Sequence, residues 1–274
     1  MSGSGNLIKY SGHNYFRQRL ILSLLSGKTV KIDKIRSDDD NPGLRDYEVS
    51  FLRLLEKVTN GSIIEISYTG TSVLYKPGII TGGKVFHECH VTRGIGYYLE
   101  PMIALAPFSK NPFNLTLTGI TNENTDVDLI RTVILQQLKR FGIEEGLELK
   151  ISKRGSPPLG GGEVNFQCPI VRSLKPLQFI DEGRIKRIRG IASPGFALSL
   201  VAESTTGALV SSETAANPGD TPEDIGKRTA QLLLSEIRKG GCVDSISQWL
   251  VLLLMVLGPE DVSKVKIGKL SAFS

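Results

Sequence analysis

A chain of 274 residues, 40% hydrophobic and 22% charged, can bury a sizeable core and fills one large domain or two ordinary ones, which excludes a disordered or fibrous protein. Lys and Arg number 33 against 28 Asp and Glu, a net charge of +5, which suits a polyanionic partner but is common in proteins that never meet one. Cys89, Cys168 and Cys242 are too few and too widely spaced for a disulfide framework or a zinc site, which points to a reducing compartment, and the most apolar run, Trp249 to Leu257, falls far short of the roughly 20 residues that cross a bilayer.

After a Gly/Ser-rich start, Met1 to Asn6, that reads as a frayed terminus, the pattern gives a short strand from Leu7, a helix over Asn14–Ser26, a strand over Thr29–Ile35 and, beyond the turn Asn41-Pro42-Gly43, a helix over Leu44–Val58. Strands at Ile63–Ser67 and Ser72–Tyr75 follow, joined as a hairpin through Tyr68-Thr69-Gly70-Thr71. This is a βαβαββ unit. The order then recurs: strand Lys84–His90, helix Gly94–Ala106, strand Phe113–Gly119, helix Val127–Phe141, strands Leu147–Ser152 and Glu163–Gln167. Both units leave through glycine-rich stretches, Lys76-Pro77-Gly78-Ile79-Ile80-Thr81-Gly82-Gly83 and Arg154-Gly155-Ser156-Pro157-Pro158-Leu159-Gly160-Gly161-Gly162.

A period of about 80 residues is too long for a solenoid and predicts duplicated α/β subdomains packed around a pseudo-axis. Strands at Arg184–Arg189 and Ala197–Glu203 form an insert over residues 177–212, between a large-domain segment 1–176 and a third unit over 213–274. That third unit holds helices at Pro222–Lys239 and Asp244–Leu257 and a strand at Val262–Ile267.

Four features could carry chemistry. Gly160-Gly161-Gly162 could cradle a phosphate, but no helix and no Lys-Ser or Lys-Thr follows, so a turn between strands is the favoured reading. Asp38-Asp39-Asp40 reads as a solvated loop, because three adjacent acids cannot all face one ion. His13, His87 and His90 are the only histidines, none well placed for acid–base work. Arg184, Lys186, Arg187 and Arg189 form the densest basic cluster; strand alternation predicts Arg184 and Lys186 on one face, Arg187 and Arg189 mainly on the other, available to RNA, to an acidic protein or to solvent alone.

Arg36-Ser37-Asp38-Asp39-Asp40-Asn41-Pro42-Gly43-Leu44, Tyr75-Lys76-Pro77-Gly78 and Arg154 to Gly162 resemble the RNA 3'-terminal phosphate cyclase family over Tyr10 to about Leu257. Thr59-Asn60-Gly61-Ser62, Arg93-Gly94-Ile95-Gly96-Tyr97-Tyr98 and Gly240-Gly241-Cys242-Val243-Asp244-Ser245 are most similar to its eukaryotic, cyclase-like branch. The resemblance implies an α/β (α+β) fold of three βαβαββ repeats around a pseudo-axis with a smaller α/β insert before the third. It also implies that family residues are missing between Ala192 and Ser193 and beyond Ser274.

Cyclases of the family carry AMP from ATP to an RNA 3'-phosphate on a histidine of the third repeat, and here no histidine follows His90. Arg17 and Arg36 match arginines of the nucleotide site, while a further basic position is held by Asp39, so the resemblance implies a vestigial anion pocket, no catalytic residue, no metal and no cofactor. The implied role is ribosome assembly: a small-subunit processome factor for 18S rRNA maturation in the nucleolus, partnered by a Bms-type nucleolar GTPase, processome proteins and the pre-rRNA with its small nucleolar RNP, with no membrane. The rival class is an RNA enzyme, a residual cyclase or an endonuclease.

Overall fold

A computed structural model describes residues 7–122, 127–193, 197–216 and 219–272; Met1 to Asn6 lie outside them. The first unit comprises β1 (Ile8–Ser11), α1 (Phe16–Ser26), β2 (Val30–Asp33), α2 (Asp46–Val58), the short β3 (Thr59–Asn60), then β4 (Ile63–Ile66), β5 (Val73–Lys76) and the short β6 (Ile79–Ile80). Its sheet runs β1-β2-β5-β4, parallel between β1 and β2 and antiparallel elsewhere. The second unit is β7 (Gly83–Glu88), α3 (Ile95–Leu105), β8 (Phe113–Gly119), α4 (Val127–Leu129), a π turn (Ile130–Ile134), α5 (Leu135–Arg140), β9 (Glu148–Lys153) and β10 (Gly162–Cys168). Its sheet runs β7-β8-β10-β9 with the same senses, so the four-stranded sheet order recurs in these two units, while the β3–β6 ladder belongs to the first alone among the described residues.

Local chemistry accounts for the element ends. α1 stops at Gly27, whose φ of 68° is the left-handed conformation that glycine adopts at no steric cost. Leu44 and Arg45, expected in α2, instead lead into it: Glu48, three residues on, accepts the Arg45 backbone N–H at 2.8 Å. Gly43 sits at φ 88°, and a Cβ there would meet the Thr69 carbonyl oxygen at 2.5 Å, so the turn admits only glycine. Helix α6 (Pro222–Lys239) starts with Pro222 at its first position and the Thr221 hydroxyl accepting from the Asp224 N–H, a cap that contributes about 1 kcal/mol.

One core runs through both units and on into α7 (Gln248–Leu257), uniting Leu20, Ile32, Phe51 and Tyr75 with Tyr98, Leu117, Phe166 and Leu250. Two elements depart from the sequence reading. β11 (Gln178–Phe179), inside the span assigned to the insert, pairs in parallel with β15 (Lys264–Val265), so the chain enters the C-terminal part before it makes the insert sheet. That sheet, β12 (Ile185–Ser193), β13 (Ala197–Ser204) and β14 (Leu209–Ala215), extends past the boundary drawn at Ser212 and carries α6 on one face through Ala202, Val210 and Leu233. Its other face, through Val201 and Leu209, seats on Leu129 and Val133. α7 starts at Gln248, four residues later than expected, because Asp244 caps the preceding turn by accepting the Ser247 N–H at 3.0 Å. β12 passes without interruption through Ala192 and the backbone of Ser193. The three cysteines are free and buried, and no helix of the described residues is long and apolar enough to cross a membrane.

Candidate functional site

Arg17 and Arg36 come from different elements, the first turn of α1 and the loop after β2, and line one cleft of about 420 Å³ with His13, Tyr47 and Tyr97. Both are already committed. Arg36 donates to the two oxygens of Glu48 at 2.7 and 2.8 Å and to the Gly43 carbonyl at 3.2 Å, with its own φ at 46°. Side-chain exposures of 8% and 3% make this a buried, bidentate ion pair, and the Glu48 carboxylate raises the Arg36 guanidinium above its ordinary pKa. Arg17 donates to the Tyr97 carbonyl at 2.6 Å, pairs with Glu100 at 3.1 Å and lies 4.3 Å over the Tyr97 ring. The sequence picks out the two arginines but neither carboxylate. Glu48 carried one signal, its place three residues after a helix N-cap.

Glu100 also accepts the Trp249 indole N–H at 2.8 Å, which ties α7 to α3 across an adjoining cleft of about 510 Å³ shared by Arg17, Lys239 and Lys269. Of the histidines, His13 is exposed on the rim of the arginine cleft. His87 is buried in β7 with Nε2 3.0 Å from the Ser50 hydroxyl, and burial pushes its pKa down to about 4, which keeps the ring neutral. His90 is bonded through Nδ1 to the Thr92 hydroxyl at 2.8 Å. Both hydroxyl contacts are local: Ser50 links α2 to β7, and Thr92 closes the turn after His90. Asp38 to Asp40 form an exposed loop in which Asp39 faces Arg45 at 3.6 Å.

The glycine-rich run is a turn. A Cβ on Gly155 would meet the Gly162 nitrogen at 2.2 Å and the Gly119 oxygen at 2.4 Å, so the base of the turn is closed backbone against backbone, while Gly161 at its tip is open. Beside it stands an ion triad the sequence did not reveal: Asp128, wholly buried, holds Arg154 at 2.7 Å and Arg131 at 3.0 Å. Among the described residues no group of three or more His, Cys, Asp or Glu is placed to hold a metal ion.

For the basic strand the alternation expected from the sequence keeps Arg187 and Arg189 together and fails at Lys186. A bulge between Ile185 and Arg187 puts an extra residue into β12, so Lys186, Arg187 and Arg189 all turn to the same carboxylate, Glu203, at 3.0, 2.5 and 3.2 Å. Arg187, and after it Lys186, hold the Glu203 carboxyl down at about 2. Arg184 stands apart at the strand entrance, its backbone N–H bonded to the Thr205 hydroxyl.

A family profile described as RNA 3'-terminal phosphate cyclase matches residues 8–274. The RNA 3'-terminal phosphate cyclase-like protein of Bos taurus is 49% identical over 324 aligned residues, covering 100% of this chain and 87% of its own. That alignment is 50 positions longer than the 274 residues present here. An rRNA processing protein of Schizosaccharomyces pombe is 44% identical, with 99% and 87% covered, and one of Saccharomyces cerevisiae is 40% identical, with 95% and 83% covered.

Proposed function

The chain belongs to the RNA 3'-terminal phosphate cyclase family, and we propose that it is a non-catalytic member acting in rRNA processing, as a small-subunit processome factor needed for 18S rRNA maturation. The observation that carries the reading is identity of 40% and 44%, along nearly the whole chain, to two proteins named for rRNA processing.

The chemistry of the arginine cleft supports the non-catalytic half. A nucleotidyl transfer needs a group to carry AMP, and the three histidines stand at positions 13, 87 and 90, none in the third unit, where the resemblance implies the family's nucleophile. A triphosphate approaching Arg17 and Arg36 meets two guanidiniums already neutralised by Glu100 and Glu48. Displacing Glu48 would bury an unpaired carboxylate and uncap α2 in the same step. The cleft therefore acts as a brace: it fixes the loop after β2 to α2, and α1 to α3.

The rRNA-processing relatives also support action in the nucleus, at the nucleolus. The partner we assign is a Bms-type nucleolar GTPase, together with processome proteins and the pre-rRNA with its small nucleolar RNP. The 50 surplus positions in the Bos taurus alignment support further insert residues in the relatives, which we place between those matching Ala192 and Ser193. Depletion of the protein should lower 18S rRNA and accumulate its precursors on pulse labelling, and purified protein incubated with labelled ATP and a 3'-phosphorylated RNA should give neither a covalent nucleotidyl adduct nor a cyclic end. Unchanged 18S maturation overturns the first half of the proposal; an adduct or a cyclised end overturns the second.

A further inference from the structure

The seam between α5 and the insert sheet holds a cleft of about 520 Å³, separate from the arginine brace, walled by Lys139 and Glu144 on one side and Arg187, Arg189 and Glu203 on the other, with Arg140 among its lining residues. Its charge does not balance: four cations face two carboxylates. Glu203 is shared by three cations, Arg187 and Arg189 of the cleft and Lys186 beside them, so most of their charge is left over. Among the described residues neither Lys139 nor Arg140 has a carboxylate partner.

Arg140 is the telling residue. Its guanidinium lies 3.7 Å over the Phe179 ring, one nitrogen donates to the Gly207 carbonyl, and the buried Nε has no hydrogen-bond partner. An arginine stays charged when desolvated, and a desolvated charge without a counter-ion is costly unless something of opposite sign approaches it. The walls are firm, since Val201 and Leu209 of the sheet are packed on Leu129 and Val133 of the helical segment.

We infer that this cleft binds the phosphate backbone of single-stranded RNA, with Arg187, Arg189 and Lys139 on successive phosphates and Arg140 as the inner cation. The choice of RNA rests on the rRNA-processing reading; the choice of a phosphate ligand rests on geometry. Arg187 and Arg189 are two residues apart on one strand, so their Cα atoms stand about 6.6 Å apart, close to the step between neighbouring phosphates of an extended strand; in the free protein both guanidiniums converge on one oxygen of Glu203. Guanidinium forks match phosphate oxygens in pairs. Glu203 holds the forks in place in the free protein and tempers their attraction.

The test is fluorescence anisotropy of the full chain with a labelled twelve-residue oligouridylate between 50 and 200 mM KCl. With Arg187→Gln and Arg189→Gln together, affinity should fall tenfold or more at low salt, and the log–log salt slope should shrink by about 1.4, two contacts at roughly 0.7 each. Glu203→Gln, which removes the competing carboxylate, should tighten binding severalfold; unfolding midpoints of all variants report whether the fold persists. Equal affinity in the double variant, or no tightening with Glu203→Gln, overturns the assignment. So does an oligoglutamate peptide that displaces the RNA at lower concentration than unlabelled oligouridylate, which would make the cleft a protein-docking site. Because the assay reads purified RNA and protein, its failure leaves the effect of depletion on 18S rRNA untouched, and the two readings fall separately.

Discussion

If Arg36 is a brace and not an anion ligand, replacing it should cost stability and nothing in nucleotide binding. Arg36→Met keeps most of the aliphatic stem but removes the guanidinium from a pair whose side chains are 8% and 3% exposed. Breaking a buried pair by removing one partner costs about 3–5 kcal/mol, because the remaining charge is stranded. Glu48 keeps the Arg45 N–H, which places the expectation near the lower end, about 3 kcal/mol. The left-handed backbone at residue 36 is strained for methionine and arginine alike, so it cancels from the difference. For a chain of this size that is a fall in Tm of roughly 6–12 °C. Arg36→Met with Glu48→Met should recover much of the loss, since both charges then leave the site. Differential scanning calorimetry checks both. A single variant within about 1 kcal/mol of the wild type, or a double variant no better than the single, refutes the brace. Millimolar ATP should leave the wild-type Tm unmoved, and a clear upward shift would return Arg36 to the ligand class.

Three further outcomes follow from other buried groups. His87 stays neutral in the folded chain down to about pH 4, whereas the unfolded chain takes up a proton near 6.5, so stability should be full above pH 6.5 and drop by about 3 kcal/mol as the pH falls toward 4; urea midpoints across that range should flatten in His87→Leu, and an unflattened acid limb would refute the cause. Asp244, 3% exposed and accepting from the Ser211 hydroxyl and the Ser247 N–H, has its pKa raised by burial, so its contribution weakens as pH rises through that value; Asp244→Asn should be at least as stable as the wild type at pH 8, and a clear loss there would show that the charge itself is needed. Gly155→Ala forces a Cβ onto three backbone atoms within 2.5 Å and should cost more than about 3 kcal/mol, while Gly161→Ala, with open space around it and a φ of 81°, should cost about 1–2 kcal/mol; equal costs on thermal unfolding would contradict the tight-turn account.

The fold was legible where period and punctuation agree. β8 and α6 fall on the residues expected, because Phe113–Gly119 alternates cleanly between core and surface and Thr221-Pro222 marks a helix start beyond ambiguity. The short pairings were not legible. Thr59–Asn60 with Ile79–Ile80, and Gln178–Phe179 with Lys264–Val265, are two-residue ladders with no period to detect, and the second joins positions more than eighty residues apart. The insert's lower boundary failed for the same reason.

The site was half legible, and the missing half decides its meaning. An arginine is conspicuous in a sequence, but whether it faces a ligand or a carboxylate depends on which helix face the fold brings opposite. Arg17 and Arg36 point outward as family ligands until Glu100 and Glu48 arrive from α3 and α2. The basic strand shows the reverse case. Four charges in six residues predict a spread over two faces, and one bulge, invisible without the partner strand, gathers three of them on a single acid. In both places the residues that decide whether a cation is available are its carboxylate partners, set by long-range packing. Surplus charge, read after those pairs are subtracted, locates an anion site better than the density of arginine and lysine along the chain. By that measure the brace at Arg36 is closed and the cleft at Arg140 is open.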